Sequence, residues 1–496
     1  MRVLSTEEAL DRLGRNAAVR RLRSLLAGRP IEGLYLVGGV VRDALLGQDA
    51  PDLDIVCPPD EVKQLSAFLS ETWPCRLVLL NERWGTVRLV PLSLEGSEKV
   101  VVDLAPARGG GIEEDLVQRD FTVDAMAVWI PPDPQRLLGP LVDPAGGLRD
   151  LASGMIRVVH PDRFVEDPVR LLRAFRIASS LGFAVEPGTL EAIRKTSHRL
   201  SQPAAERLRD ELFKLLGSPG SRPYLDAMDQ AGLLVVLFPE TAALRGLKQG
   251  PEHAHEAWAH SMETFRQVEK MMEDGFALLE PWGEVLSEWT AEDEERAGLL
   301  KLAALLHDIG KPATARSGEG GKVHFFGHDR EGARLCGQIG ARLKLSRSSG
   351  ACLERWVRFH MWPLHLYRAA SAHRLRDRAR VRFFRRLGGD AFGCLILAVA
   401  DHKAKKNNEK TIECNENFMQ FIKSMIFFSV ERDAAGVRLS PLIRGRDIME
   451  RFGLSPGPAI GRLLEKVHEA RAAGEIANRE QALDLVGRLI GKGGIT

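Results

Sequence analysis

Two carboxylates near the start of the chain are placed for metal chemistry. In APDLDIV (50–56), Asp52 and Asp54 stand two apart in a β-type run, so their side chains project to one face. Neighbouring carboxylates repel each other, and the arrangement becomes favourable when a divalent cation sits between them. Just upstream, LYLVGGVVRDALLG (34–47) reads as strand, tight glycine turn and helix. Gly38 and Gly39 lack a Cβ, so a phosphate can approach their amides, and Arg42, one turn in, can reach the same phosphate. Alone, a glycine pair is a plain turn. Followed by Asp-x-Asp on a strand, it supplies what metal-assisted nucleotidyl transfer requires, with Mg2+ activating an attacking hydroxyl and stabilising the departing pyrophosphate. The competing reading is a polar edge strand.

A second constellation lies in EDPVRLLRAFR (166–176). Leu171, Leu172, Phe175 and Ala178 form an apolar helical stripe, while Arg170, Arg173 and Arg176 fan across about 120° of the other surface. A basic solvated face is the bland reading, and Asp167, three residues before Arg170, argues against it. A carboxylate accepts hydrogen bonds and a guanidinium only donates them. Cytosine and adenine each offer an amino donor beside a ring-nitrogen acceptor, so Asp167 and Arg170 match either base. Guanine and uracil mismatch the pair. Further on, Arg207 and Glu211 stand four apart and read as a helical ion pair that orients a neck helix.

The third set is rich in histidine: ten of the thirteen histidines lie between His253 and His402. His260, His307-Asp308 in LLHDIGKP, His328, His360 and Asp401 offer mixed imidazole and carboxylate ligands, which suit Mn2+, Fe2+, Ni2+, Co2+ or Mg2+ without selecting among them. The chemistry implied is a cation activating water toward a phosphate ester. His253, His255, His324 and His365 read as ordinary core or surface residues.

The elements that must hold these groups change twice along the chain. Residues 31–130 carry short β-type runs (LYLVGGVV, LDIVC, RLVLL, TVRLV, KVVVDLA, DAMAVWI) punctuated by Gly, Pro and Asp, which predicts a small mixed sheet. After Pro161 helical periodicity takes over. HKAKKNNEK (402–410) reads as a solvated linker, and 411–496 is again helical without a motif, ending in a loose GKGGIT. An Arg-dense run, 367–389, fits either an RNA-backbone surface or a solvated helix face.

Four of these segments place the chain in a family by resemblance. GGVVRDALLG…DLDIV, NERWGT (81–86), EEDLVQRDFTVDAMA (113–127) and EDPVRLLRAFR occur in the order found in class II tRNA nucleotidyltransferases, the CCA-adding enzymes, whose head is shared with bacterial poly(A) polymerases. The resemblance spans roughly residues 31–245. It departs at Gln118, where an Arg is usual, and at Asp124, where an Asn is usual. It implies that Asp52 and Asp54 are catalytic and hold Mg2+, and that Gly38, Gly39, Arg42, Arg119, Asp167, Arg170, Arg173 and Arg176 bind the nucleotide. It further implies that Asp120 steadies its motif and that the partners are tRNA, CTP and ATP. It does not extend to Asp103 in KVVVDLA, which stays outside the expected catalytic set. C and A are the bases that CCA synthesis needs, in accord with the Asp167–Arg170 logic. The histidine-aspartate set resembles the HD phosphohydrolases, all-helical domains that in some CCA-adding enzymes act on 2′,3′-cyclic phosphates or phosphomonoesters at RNA ends.

The expected fold is α+β: a nucleotidyltransferase head (1–150), a helical neck and body (151–245), a helical HD domain (246–402) and a helical tail (403–496). Composition agrees with this and excludes other classes. With 496 residues, 44% apolar and 27% charged, the chain is neither disordered nor a disulfide scaffold, and its six cysteines include no CxxC pair. A formal charge of +2 leaves any nucleic-acid contact to local patches. No secretory signal or membrane span is legible, so a cytoplasmic protein is expected. Poly(A) polymerase and a nucleotide-sensing HD phosphohydrolase are the alternative functions.

Overall fold

The β-type runs of the first half pair because each alternates or fills one face with Leu, Ile and Val. The computed structural model describes residues 3–27, 29, 31–50, 52–81, 85–92, 100–249, 256–318, 323–405, 409–434, 442–472 and 475–491. The strands are β1 (Leu34–Val37), β2 (Asp52–Cys57), β3 (Cys75–Asn81), β4 (Thr86–Pro91), β5 (Val101–Pro106), β6 (Ala127–Ile130) and β7 (Leu141–Val142). They form one seven-stranded sheet in the order β3-β4-β5-β2-β1-β6-β7. Every pairing is antiparallel except β2 with β5, which brings Asp54 opposite Asp103. The Val62–Thr72 helix buries Leu65 and Leu69 and packs against β3, β4 and β5. Of the NERWGT motif, 82–84 lie outside the described residues.

By compactness the chain divides into two units, 1–237 and 238–496. In the first, the head sheet is followed by helices, among them Arg170–Leu181 and Ala205–Gly217, which pack on each other. In the second, helices Ala257–Glu273, Arg296–Leu306, His328–Arg342, Arg347–Phe359 and Ala391–Lys403 make a helical body, with a two-stranded antiparallel pair, Arg316–Ser317 and Val323–His324, beside it. Its last helices, Gly445–Phe452, Pro458–Ala472 and Arg479–Gly491, close around Ile448, Leu463, Val467 and Val486. No helix among the described residues is long and apolar enough to cross a membrane.

Two sequence expectations need correction here. HKAKKNNEK is not one solvated linker: His402 is buried at the end of the Ala391–Lys403 helix, and Glu409 opens a further helix, Glu409–Ala434. The charge density of the segment had hidden a helix end. In the Arg-dense run, one side of the Asp377–Leu387 helix is partly exposed but has its charge paired within the chain. Arg378, Arg382 and Arg385 recur at i, i+4 and i+7 and ion-pair with Glu475, Glu469 and Glu465. GKGGIT from 492 onward lies outside the described residues.

Candidate active sites

Gly38 is where the head site is assembled. It ends β1 at φ +71°, a left-handed value that a side chain resists, and opens the short Gly39–Leu45 helix. A Cβ there would stand 3.2 Å from Arg119 Nη1 and 3.4 Å from Asp54 Oδ2. Glycine therefore lets a guanidinium and a carboxylate close on the same turn. Arg119 is steadied through Nε by Asp115, at 3.1 Å. Asp52 is exposed and Asp54 half-buried on one face of β2. Burial first, then Asp103 across the parallel ladder, push the Asp54 carboxyl up to about 6, against the opposing charge of Arg119. A crowded carboxylate of this kind is the site a divalent cation relieves. The residues present fit such an ion, since Asp52 and Asp54 offer hard oxygen donors from one face of β2 beside a glycine turn.

Asp103, which the sequence reading set aside, faces Asp54 in the β2–β5 register. Both its oxygens are held by the Arg88 fork, at 2.8 and 2.7 Å. The recoverable signal was an Asp inside the apolar run KVVVDLA, and strand pairing alone showed where it points. Arg42 also departs from expectation. Its guanidinium lies over Gly39, but Nη1 binds Asp124 at 2.5 Å and Nε binds Asp43 at 2.8 Å. Asp124, where the resemblance has Asn, thus gives Arg42 a second carboxylate partner within the chain.

The helix expected to choose the base is held at both ends. Asp167 follows the turn Arg163–Glu166 and its Oδ2 accepts from Arg207 Nη2 at 2.7 Å. Burial opposes the charged form of Asp167, and the Arg207 hydrogen bond offsets it, holding the carboxyl below the usual range. Arg170 donates to the Arg163 carbonyl at 3.2 Å. The expected Arg207–Glu211 pair is not what forms. Glu211 instead takes Arg173 at 2.9 Å and Arg176 at 2.6 Å, and Arg173 also bonds Asp120 at 2.9 Å. The neighbouring helix offers Glu211 two guanidiniums, whereas its own helix offers one. Arg173 and Arg176 are thus half-buried partners of carboxylates rather than a solvated fan.

In the second unit six side chains able to ligate a metal converge from five places. His260, His307 and Asp401 form one triad and Asp308, His328 and His360 another, each with donor atoms within 4.8 Å of one another. Asp308 faces both: Oδ2 lies 3.1 Å from His307 Nε2 and 3.8 Å from His260 Nε2, while Oδ1 lies 3.5 Å from His328 Nε2. His328 and His360 approach through Nε2 at 3.3 Å. His307, His328 and His360 each turn Nδ1 to a carbonyl three residues back, those of Ala304, Phe325 and Val357. That contact fixes each ring and leaves Nε2 for a ligand. His307 Nε2 is buried and meets the Asp308 carboxylate without a well-formed hydrogen bond, an arrangement a cation between them would satisfy. Burial, then His328 and His307, push the His360 imidazole down to about 3, so it stays neutral, the ligating form. For Asp401, burial opposes ionisation, but Lys405 and His260 hold it charged.

A cavity of about 410 Å3 opens on this cluster, and Lys311, Arg368 and Lys405 line it. Its wall also carries His324 and His365, which the sequence reading had treated as ordinary residues. Lone histidines carry no positional signal, so only the fold could find them. His253 and His255 lie outside the described residues.

Comparison with known proteins covers the whole chain. Residues 34–157 match the poly A polymerase head domain, 182–244 the probable RNA and SrmB-binding site of polymerase A, and 257–402 the HD domain. Residues 395–486, where no motif was legible, match a putative tRNA nucleotidyltransferase domain 2. The A-adding tRNA nucleotidyltransferase of Deinococcus radiodurans is 33% identical, over 92% of this chain and 95% of that one. The CC-adding tRNA nucleotidyltransferase of Thermus thermophilus is 32% identical, over 90% and 92%. Among solved structures, a CCA-adding enzyme in complex with CTP is similar in fold, with a TM-score of 0.64 at 22% identity and 100% of both chains covered.

Proposed function

This chain belongs to the tRNA nucleotidyltransferase family, and from that premise we propose that it adds C and/or A to tRNA 3′ ends from CTP and ATP. The observation that carries this reading is the approach of Asp54 and Arg119 to Gly38, with Asp52 two residues before Asp54 on the same face of β2. Asp52 and Asp54 would hold Mg2+, which supplies activation of the terminal ribose hydroxyl and neutralisation of the leaving pyrophosphate. Arg119 would orient the triphosphate. Asp167, held by Arg207, and Arg170 would read the Watson–Crick edge, accepting from the amino group of C or A and donating to its ring nitrogen. Arg173 and Arg176, locked by Glu211, would fix the pitch of that helix against the head. In the second unit a cavity of about 790 Å3 lined by Arg355, Arg358, Arg382, Arg385 and Arg386, with Glu354 and Glu465 among them, would offer a tRNA-backbone contact through its surplus of arginines.

The experiment is incubation of the full chain with tRNA ending before the first C, with single and paired nucleotides, followed by sequencing of the products. Addition of CC, A or CCA assigns the specificity. Long homopolymers from ATP would assign poly(A) polymerase instead, and hydrolysis without incorporation would assign a nucleotide-sensing hydrolase. Asp52→Asn or Asp54→Asn is expected to abolish addition, and full activity in either would overturn the assignment.

For the second unit we propose a phosphohydrolase acting on RNA ends. The two triads would hold divalent cations such as Mn2+, Ni2+, Co2+, Fe2+ or Mg2+, which supply Lewis acidity toward a phosphate ester. Lys311, its Nζ 2.5 Å from Asp308 Oδ2, fixes that carboxylate between the triads. Replacing His307 and Asp308 with Ala should end hydrolysis of a 2′,3′-cyclic phosphate and spare nucleotide addition; joint loss would refute independent sites.

A further inference from the structure

The chain leaves one large aromatic side chain almost wholly in solvent at the mouth of the histidine-aspartate cavity. Phe326 is 81% exposed, yet its ring stacks on His324 with centroids 5.4 Å apart and planes 15° from parallel. Both residues line the cavity that holds Asp308, His328 and Asp401. The stack is also tied to the ligands through the backbone. The carbonyl of Phe325 accepts from His328 Nδ1 at 2.8 Å, and the Phe325 ring lies 5.5 Å from Lys311 Nζ. Phe326 is two residues before His328, a chain distance of at most about 7 Å. That is the reach from the base of one nucleotide to its 2′ or 3′ phosphate. Beyond the ligands, Arg368 lines the cavity, and Lys311 and Lys405 stand beside the carboxylates of Asp308 and Asp401, so positive charge lies within reach of that phosphate.

Resting on the phosphohydrolase reading, we infer that Phe326, backed by His324, is a nucleobase platform that makes this site select a terminal nucleotide of RNA over a simple phosphate ester. Every base presents a π-face to such a ring, so the platform favours a nucleotide without choosing among the four. Two stacked rings present a firmer face than one, and the open side of Phe326 is the side a base would cover.

The test uses the full chain loaded with Mn2+ and compares cytidine 2′,3′-cyclic phosphate with glycerol 1,2-cyclic phosphate, which has no base. Phe326→Ala should raise KM for the cytidine substrate about tenfold with little change in kcat, so that the cytidine-to-glycerol ratio of kcat/KM falls about tenfold. Phe326→Tyr, which keeps the ring, should restore the ratio. An unchanged ratio, or an equal loss on both substrates, overturns the platform. If the native protein hydrolyses neither compound, the phosphohydrolase reading fails and calorimetric binding decides the platform separately. Cytidine 3′-phosphate should then bind Phe326→Ala about tenfold more weakly than it binds the native chain, with inorganic phosphate as the reference. Equal affinity of the two chains for cytidine 3′-phosphate overturns the inference.

Discussion

Arg207→Ala separates the base-reading proposal from a purely structural account of the same helices. Arg207 is 51% exposed and gives Asp167 one hydrogen bond of 2.7 Å. A charge-assisted bond contributes about 1.5–3 kcal/mol when shielded, and solvent screening at a half-exposed arginine brings this to about 1 kcal/mol or less. Unfolding should therefore shift by no more than about 2–4 °C. Selectivity should respond more clearly, because Asp167 loses the group that aims its acceptor oxygen. About 1 kcal/mol of misplaced readout is roughly fivefold in discrimination. The assay is single-nucleotide incorporation on truncated tRNA, comparing whichever of CTP or ATP the native chain adds with UTP and GTP. Asp167→Ala should relax the exclusion further, and the double substitution should add nothing beyond Asp167→Ala, because the two residues act as one unit. Relaxed selectivity in Asp167→Ala with none in Arg207→Ala would refute the reasoning, as would additive effects in the double variant.

Other consequences follow from the packing. Glu211→Gln removes the charge that Arg173 and Arg176 share, and should lower stability by about 2 kcal/mol, read as a shift in the urea midpoint. Gly393→Ala places a Cβ 2.3 Å from the buried Trp356 indole and must part the helices that bring in His360 and Asp401. It should cost about 1–3 kcal/mol and reduce bound metal, whereas Gly350→Ala, whose Cβ meets nothing within 4 Å, should do neither. Burial pushes the Cys57 thiol up to about 12 and those of Cys336 and Cys394 higher still. Iodoacetamide at pH 8 should therefore label Cys75 in the native chain before any of these three, as peptide mass mapping would show.

Local chemistry was legible in the linear chain. Strand runs, the glycine turn and the pairing of Asp52 with Asp54 on one face could be read because each depends on residue type at short spacing, and the six His and Asp side chains that the fold brings together stood out by residue type and by the adjacent His307-Asp308. The same residue-type signal marked all six main strands. Partnership was not legible. Asp103 sits opposite Asp54, Arg207 takes Asp167, Glu211 takes Arg173 and Arg176, and three arginines of the 377–387 helix take glutamates far along the chain. A charged side chain binds whichever counter-charge the fold brings nearest, and sequence separation does not encode that distance. The exposed Phe326 stacked on His324 belongs to the same class. Its residue type suggested burial, and only the packed helices revealed that it stands at the rim of the metal-ligand cavity.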